Sequence, residues 1–266
     1  MRDPLALLMF ALTMPVAASE PIYTLVAAER EFAASSPRMG VKAAFLGVLD
    51  EDAVLFRPGP VDARDWYAAR PDVAPFTLEW APEAGEATTD FGYTYGPYRL
   101  TPRNAEGRDG EPVGGHFFSI WVRDADQPWR LLLDQGVSHA LVGFPTEARQ
   151  RGVNQAVASG AHDDLVARDQ QLNLLLAAPH DAAAMRPHLC ADAIVLRSGQ
   201  RPMSRDHAAA RVPMRALARR THLRLSADGR LAATTGFAEA APPQTYQRAW
   251  RHESGGWCVV VDLAGD

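Results

Sequence analysis

Apolar residues recur at helical spacing from Leu25 to Ala34, with Leu25, Ala28 and Phe32 on one face and Glu29 and Arg30 beside them. A second helix is predicted over Val41-Lys42-Ala43-Ala44-Phe45-Leu46, stopping near Asp50. Ala53-Val54-Leu55-Phe56 reads as a short strand closed by Pro58-Gly59-Pro60, a strong turn signal. A third short helix is expected over about 63–69, with Asp62 a suitable N-cap. Longer strands follow over 76–80, 86–98, 116–123 and 129–135, the last two joined by a turn at 124–128. Helices first and a run of antiparallel strands afterwards is an α+β pattern, not the alternation of a doubly wound sheet.

The pattern then repeats. Leu49-Asp50-Glu51-Asp52-Ala53-Val54-Leu55-Phe56-Arg57-Pro58-Gly59 lines up with residues 189–199, 140 positions later, with five of eleven positions identical and three more exchanging one apolar side chain for another. The same offset matches Leu25-Val26-Ala27 with Leu165-Val166-Ala167 and brings the acid Glu29 onto Asp169. After a one-residue shift, Arg64-Asp65 meets Arg205-Asp206; further on, the pair Trp121 and Trp129 finds counterparts in Trp250 and Trp257, and Asp134 in Asp262. Four matches in the same order establish an internal duplication. The chain divides into an N-terminal signal over 1–19, a first domain over 20–137, a linker over 138–163 with a short helix near Glu147, and a divergent second domain over 164–266.

Composition narrows the classes. The 266 residues are 47% hydrophobic and 22% charged, with a net charge of -5, which argues against a nucleic-acid footprint. Residues 1–19 run from Arg2 through an apolar stretch, Pro4 to Leu12, to the small residues Ala17-Ala18-Ser19, the pattern of a secretory signal cleaved near Ser19 or Glu20. The expectation is therefore a periplasmic or secreted protein with no membrane span after cleavage. Its two cysteines, Cys190 and Cys258, would be permitted a disulfide there; the sequence leaves open whether they form one or remain buried thiols.

The first copy resembles the nuclear transport factor 2-like superfamily, in its SnoaL-like, ketosteroid isomerase-like branch. The resemblance rests on Ala28-Glu29-Arg30-Glu31-Phe32, Lys42-Ala43-Ala44-Phe45, residues 52–58, Leu78-Glu79-Trp80-Ala81-Pro82, residues 90–96, Ile120-Trp121-Val122-Arg123 and residues 129–136. The second copy keeps fragments: Thr234-Thr235-Gly236 stands where Thr94-Tyr95-Gly96 does, and the Trp80-Pro82 pair is missing. The resemblance implies a strongly curved, mostly antiparallel sheet around helices, leaving a conical pocket. The fold class is thus two tandem cone-shaped α+β-barrel domains. Both strand faces carry large apolar side chains, so the copies are expected to pack sheet against sheet, a monomeric pseudo-dimer in place of a homodimer.

Fold does not fix activity. Candidate chemical groups are Asp90, Tyr93, Tyr95, His116 and Asp134, with Asp90 and His116 foremost and Phe56, Trp80 and Trp121 as pocket walls. Each also has a structural reading: Asp90 bonding a strand bend, the tyrosines packing, His116 and the recurring Asp134 serving the scaffold. Which strand face lines the pocket is left open. No Gly-rich phosphate loop, G-x-S-x-G elbow or paired metal-ligand spacing is present, so neither cofactor nor metal is expected. His162-Asp163-Asp164, His180-Asp181 and His188 read as solvated polar residues, and Arg211, Arg215, Arg219, Arg220 and Arg224 as a solvated helix face. The leading reading is an exported binder of a small apolar or carbonyl-containing molecule, with a pocket in the first copy and a mainly structural second copy. The alternatives are a cofactor-independent isomerase or lyase using Asp90 with Tyr93, Tyr95 or His116, and a non-catalytic structural or partner-binding module.

Overall fold

A computed structural model describes residues 20–124, 127–152, 159–178, 182–208 and 216–265. The signal expected over 1–19 lies outside them, as do His180, Asp181, Arg211 and Arg215.

Pro21, whose missing N–H costs nothing in a first turn, opens helix α1 (Pro21–Met39). Gly40 ends it at a φ of 87°, donating its N–H to Ser36 O at 2.9 Å, and the chain turns directly into α2 (Val41–Val48). Strands β1 (Leu49–Phe56) and β2 (Pro60–Asp62) lead to α3 (Ala63–Ala68), where Asp62 Oδ1 accepts the Asp65 N–H at 2.7 Å as the expected N-cap. Then come β3 (Phe76–Trp80), β4 (Ala84–Ala87), β5 (Phe91–Pro102), β6 (Val113–Val122), β7 (Arg130–His139) and β8 (Arg149–Gly152). The single strand expected over 86–98 is two, hinged where the Thr88 N–H reaches Phe91 O at 2.7 Å. Strand β8 falls inside the expected linker and pairs in parallel with β4, and Glu147 sits in a bend, not a helix.

The second copy contains α4 (His162–Ala177), a 3₁₀ turn (Ala182–His188), β9 (Leu189–Arg197), β10 (Gln200–Ser204), α5 (Arg205–Ala208), β11 (Arg219–Leu225), β12 (Leu231–Ala238), β13 (Gln244–Glu253) and β14 (Gly256–Gly265). The arginine run expected on a helix is, over Arg219–Leu225, a strand. The sheets follow the same path: β2-β1-β7-β6-β5-β4-β8, with β3 also on β5, and β10-β9-β14-β13-β12-β11. In each, the first long strand pairs in parallel with the last (β1 with β7, β9 with β14) and the other central pairs are antiparallel.

Alternation along these strands assigns the two faces. In the first copy Gly92, Thr94, Phe117, Ser119 and Trp121 face the helices. A side chain at Gly92 would meet Leu25 at 2.5 Å, so glycine there lets α1 lie against the sheet. Phe91, Tyr93, Tyr95, Phe118, Ile120 and Leu133 face the other way and pack on Cys190, Leu196, Ala233, Ala249, Val261 and Leu263 of the second copy. Each large apolar side chain in that layer contributes about 2–3 kcal/mol by leaving water. The copies therefore pack sheet against sheet, as expected. Polar contacts fix their register: Gln247 Nε2 donates to Phe118 O at 3.0 Å, and Gln135 Nε2 to Thr245 Oγ1 at 2.6 Å. Cys190 and Cys258 are joined on adjacent strands β9 and β14, Cα atoms 5.0 Å apart, 68 residues apart in sequence. Closing a loop of that length stabilises the fold by about 4 kcal/mol in the chain-entropy account.

One buried charge crosses the interface. Glu86 is fully buried and accepts from Arg251 Nη1 at 2.9 Å and from the Tyr93 hydroxyl at 3.1 Å; Arg251 also reaches Asp192 at 2.6 Å. Truncating one partner of a buried pair leaves the other charge without compensation, so Arg251→Ala is expected to cost about 3–5 kcal/mol. Urea unfolding of the wild type and the variant checks this, and a loss below about 1 kcal/mol would show that water replaces the guanidinium.

Candidate functional site

The first cone is hollow. A cavity of about 400 Å³ lies between α1, α2, α3 and the inner face of the sheet. Phe32 and Phe45 reach it from the first two helices, Trp66 and Tyr67 from α3, Phe76, Leu78 and Trp80 from β3, and Phe117 from β6. Phe32 meets Trp80 edge-on at 4.7 Å, and Phe45 stacks on Tyr67 at 4.4 Å, which fixes the wall geometry. Asp134 on β7 is the wall's one carboxylate; Lys42, Arg57 and Arg70 supply the cationic part of the lining, and Thr245 reaches it from the second copy.

Two acids belong to this cone. Glu29, fully buried on α1 behind Trp80, accepts from Trp80 Nε1 at 2.7 Å, Thr94 Oγ1 at 2.6 Å and Trp121 Nε1 at 3.0 Å. Burial outweighs these bonds and lifts its carboxyl to about 7. Asp134 accepts from Ser119 Oγ at 2.9 Å; burial pushes it up to about 6 against that bond and the more distant Arg57 charge. Burial also raises the Tyr67 hydroxyl on the same wall well above the usual phenol range.

The second cone keeps the acids and changes their partners. Asp169, at the position of Glu29, accepts from Thr234 Oγ1 and the Tyr246 hydroxyl, both at 2.9 Å. Trp250 Nε1 donates to Thr234 at 2.8 Å, as Trp121 Nε1 does to Thr94 at 3.3 Å. The difference lies two residues before each tryptophan. Ser119 pairs across the strands with Asp134, whereas Arg248 pairs with Asp262. Arg248 is wholly buried, donates to Asp169 and Asp262 at 2.8 Å each, and lies over the Tyr246 ring at 4.1 Å. Burial alone would raise Asp262, but Arg197 and Arg248 together hold it below the usual carboxylate range. One cone thus holds a buried guanidinium where the other holds a buried hydroxymethyl.

The candidates named from sequence are dispersed. Phe56 and Trp80 line the cavity; Trp121, expected as a pocket wall, lies outside the lining, its indole bonded to Glu29. Asp90 is corrected to the hinge between β4 and β5: its carboxylate accepts from Thr88 Oγ1 at 3.1 Å and from the Ala227 N–H of the second copy at 2.9 Å. Tyr93 and Tyr95 lie on the outer face, bonded to Glu86 and, at 3.0 Å, to Arg149. His116 shares that face, so a base at Asp90 with these tyrosines or His116 has no common pocket. His116 Nδ1 is 2.8 Å from His139 Nε2, and His116 Nε2 is 3.2 Å from Glu83. His139 Nδ1 donates to Ala140 O at 2.8 Å, which leaves its Nε2 facing His116. Glu29, Tyr67 and the contrast between Ser119 and Arg248 were not singled out as site features. Only the alignment of Glu29 with Asp169 pointed at them. Cys190, Glu253 and Cys258 come within metal-ligand distance of one another, but both sulfurs are committed to the disulfide.

The architecture is similar to the nuclear transport factor 2-like fold. Solved structures of that kind align with just under half of the chain. A superfamily protein from Salmonella enterica covers 47% of this chain and 95% of its own at 12% identity and a TM-score of 0.37. A conserved protein from Planctomyces limnophilus covers 44% and 95% at 17% identity and a TM-score of 0.36. A ketosteroid isomerase-like protein from Erwinia carotovora covers 46% and 98% at 15% identity and a TM-score of 0.36. No family model and no curated protein sequence matches the chain.

The raised acids set a pH dependence. Folded Glu29 and Asp134 keep protons that the unfolded chain, with values near 4.5 and 3.8, has released. Stability from them is full below those unfolded values and is lost as pH rises through about 6 and about 7. Asp262, Glu83 and Asp192, held low, act in the opposite sense, and their window lies below about pH 4. The carboxyls' share of the urea midpoint is expected to fall from about pH 5 to about pH 8, Glu29 alone accounting for about 3 kcal/mol, while His139, His188 and His222, held low by burial, act against it below about pH 6.5. In Glu29→Gln the slope should flatten; an unchanged slope would assign the titration elsewhere.

Proposed function

We propose that this is an exported small-molecule-binding protein whose first domain holds a largely apolar ligand and whose second domain is structural. The carrying observation is the cavity beside Asp134 in the first cone, at the register position where the second places the Arg248 guanidinium between Asp169 and Asp262. A cavity of about 400 Å³ walled by aromatic rings, with few polar groups aimed into it, is the form of a ligand site. Export is supported by the apolar segment within residues 1–19 and by the disulfide, which belongs to an oxidising compartment. The sheet-on-sheet layer supports a monomer, because each copy already covers the outer face of the other.

A second reading is favoured by Asp134 alone. A carboxyl lifted to about 6 in an apolar cavity, near a tyrosine hydroxyl, suits proton transfer to and from carbon next to a carbonyl. In that reading Asp134, not Asp90, is the base.

Ser119→Arg tests the site. The new guanidinium would find Glu29 and Asp134 in the arrangement Arg248 finds with Asp169 and Asp262, so the variant is expected to keep its fold while losing its cavity. Thermal-shift screening against apolar carbonyl compounds and apolar acids should give ligands that raise the wild-type melting temperature. Those shifts should disappear in Ser119→Arg at unchanged circular dichroism. A screen without any shift, or shifts that survive in the variant, would remove the pocket reading. Turnover lost in Asp134→Asn with binding retained would establish the catalytic one.

A further inference from the structure

The cations that line the first cavity are not equivalent. Lys42 Nζ is spent on Asp72, at 2.9 Å, and on the Arg70 carbonyl, at 2.8 Å. Arg57 and Arg70 are held differently: both guanidinium groups lie over the Trp66 ring, 5.0 Å and 4.1 Å from its centre. Among the described residues neither is ion-paired with a carboxylate, although both line the cavity. The second copy shows what Arg57 could do instead. Its counterpart Arg197 bonds the neighbouring carbonyl at 2.8 Å, as Arg57 does at 2.6 Å, but turns inward to pair with Asp262. Arg57 stays with Trp66 and leaves Asp134 to Ser119.

Two guanidinium groups held at one indole concentrate positive charge at the cavity wall, and an anion bound there offsets it while gaining charge-assisted hydrogen bonds. Apart from Lys42 and Asp134, the rest of the lining is uncharged and largely apolar and would reject a second charge. Asp134, on the wall, disfavours an anion close to itself and accepts a hydroxyl or carries a proton to a carbonyl.

We infer that the ligand is an amphiphilic monocarboxylate, its apolar body among Phe32, Phe45, Trp80 and Phe117 and its carboxylate held by Arg57 and Arg70. This rests on the pocket reading above and adds the ligand's charge to it. The probes are matched pairs of a carboxylate and its primary amide: 4-phenylbutanoate, 2-naphthoate and decanoate, titrated by calorimetry into the intact chain. The best-bound carboxylate is expected to bind about tenfold or more tightly than its amide, with the preference shrinking as salt is added. Arg57→Gln and Arg70→Gln should each remove most of that preference by weakening the carboxylate far more than its amide. Both side chains are exposed, so the unliganded melting temperature serves as a control and should stay within a few degrees. Amides that bind as tightly as the acids, or variants that keep the preference, overturn the inference while leaving the pocket in place. If neither series binds the wild type, the pocket reading fails and this inference with it.

Discussion

Each half of this molecule is organised around a carboxylate that its first long helix carries into the interior. Glu29 and Asp169 are both without solvent contact, and a buried carboxylate must be hydrogen-bonded or neutralised. The sheet supplies the partners: a threonine from one central strand, with the indole of a tryptophan from the next strand bonded to it. These bonds tie helix to sheet at one point and set how far the sheet must curl. What differs is the rest of the answer. In the second copy Arg248 and Tyr246 complete the shell. In the first, two indoles supply bonds, the carboxyl keeps a high proton affinity, and a cavity opens along Trp80.

The outer faces of the two sheets have a different task. Tyr93, Tyr95 and His116 look reactive in isolation, yet strand alternation turns them away from the cone. Two of the three are tied to acids that fix the edge of the sheet or its contact with the other copy, Tyr93 to Glu86 and His116 to Glu83; Tyr95 is bonded to Arg149. Of these charges only Glu86 would otherwise be stranded in the apolar layer; Glu83 and Arg149 reach solvent. The chemistry available to a ligand is confined to the inner face, where Asp134 and Tyr67 stand among rings.

Much of this was legible in the chain. The helices, the Asp62 cap, the duplication and the face-to-face packing follow from periodicity and from residues that can be aligned. The hinge at Thr88-Thr89-Asp90 was not: Glu86 to Tyr98 reads as one strand because no glycine or proline interrupts it at the bend. Strand β8 was missed because four polar residues paired in parallel to an edge leave no alternating signature. Which face is concave could not be read, because both faces are apolar, one for the cone and one for the interface. The arginine run misled for a related reason: in β11, arginine is spaced by threonine, histidine and leucine, and only pairing with β12 makes it a strand. Ser119 and Arg248 come side by side once Trp121 is aligned with Trp250, but alternation alone does not say that theirs is the inner face.

Joining the copies in one chain has a consequence for how such a site can change. In a symmetric dimer of identical chains, any substitution enters both cones at once. A guanidinium that closed one would close the other, and the assembly would lose its ligand in a single step. Here the two cones are written separately. Arg248 enters one interior while Ser119 stands at the same place in the other, so the first cone keeps its cavity whatever the second becomes.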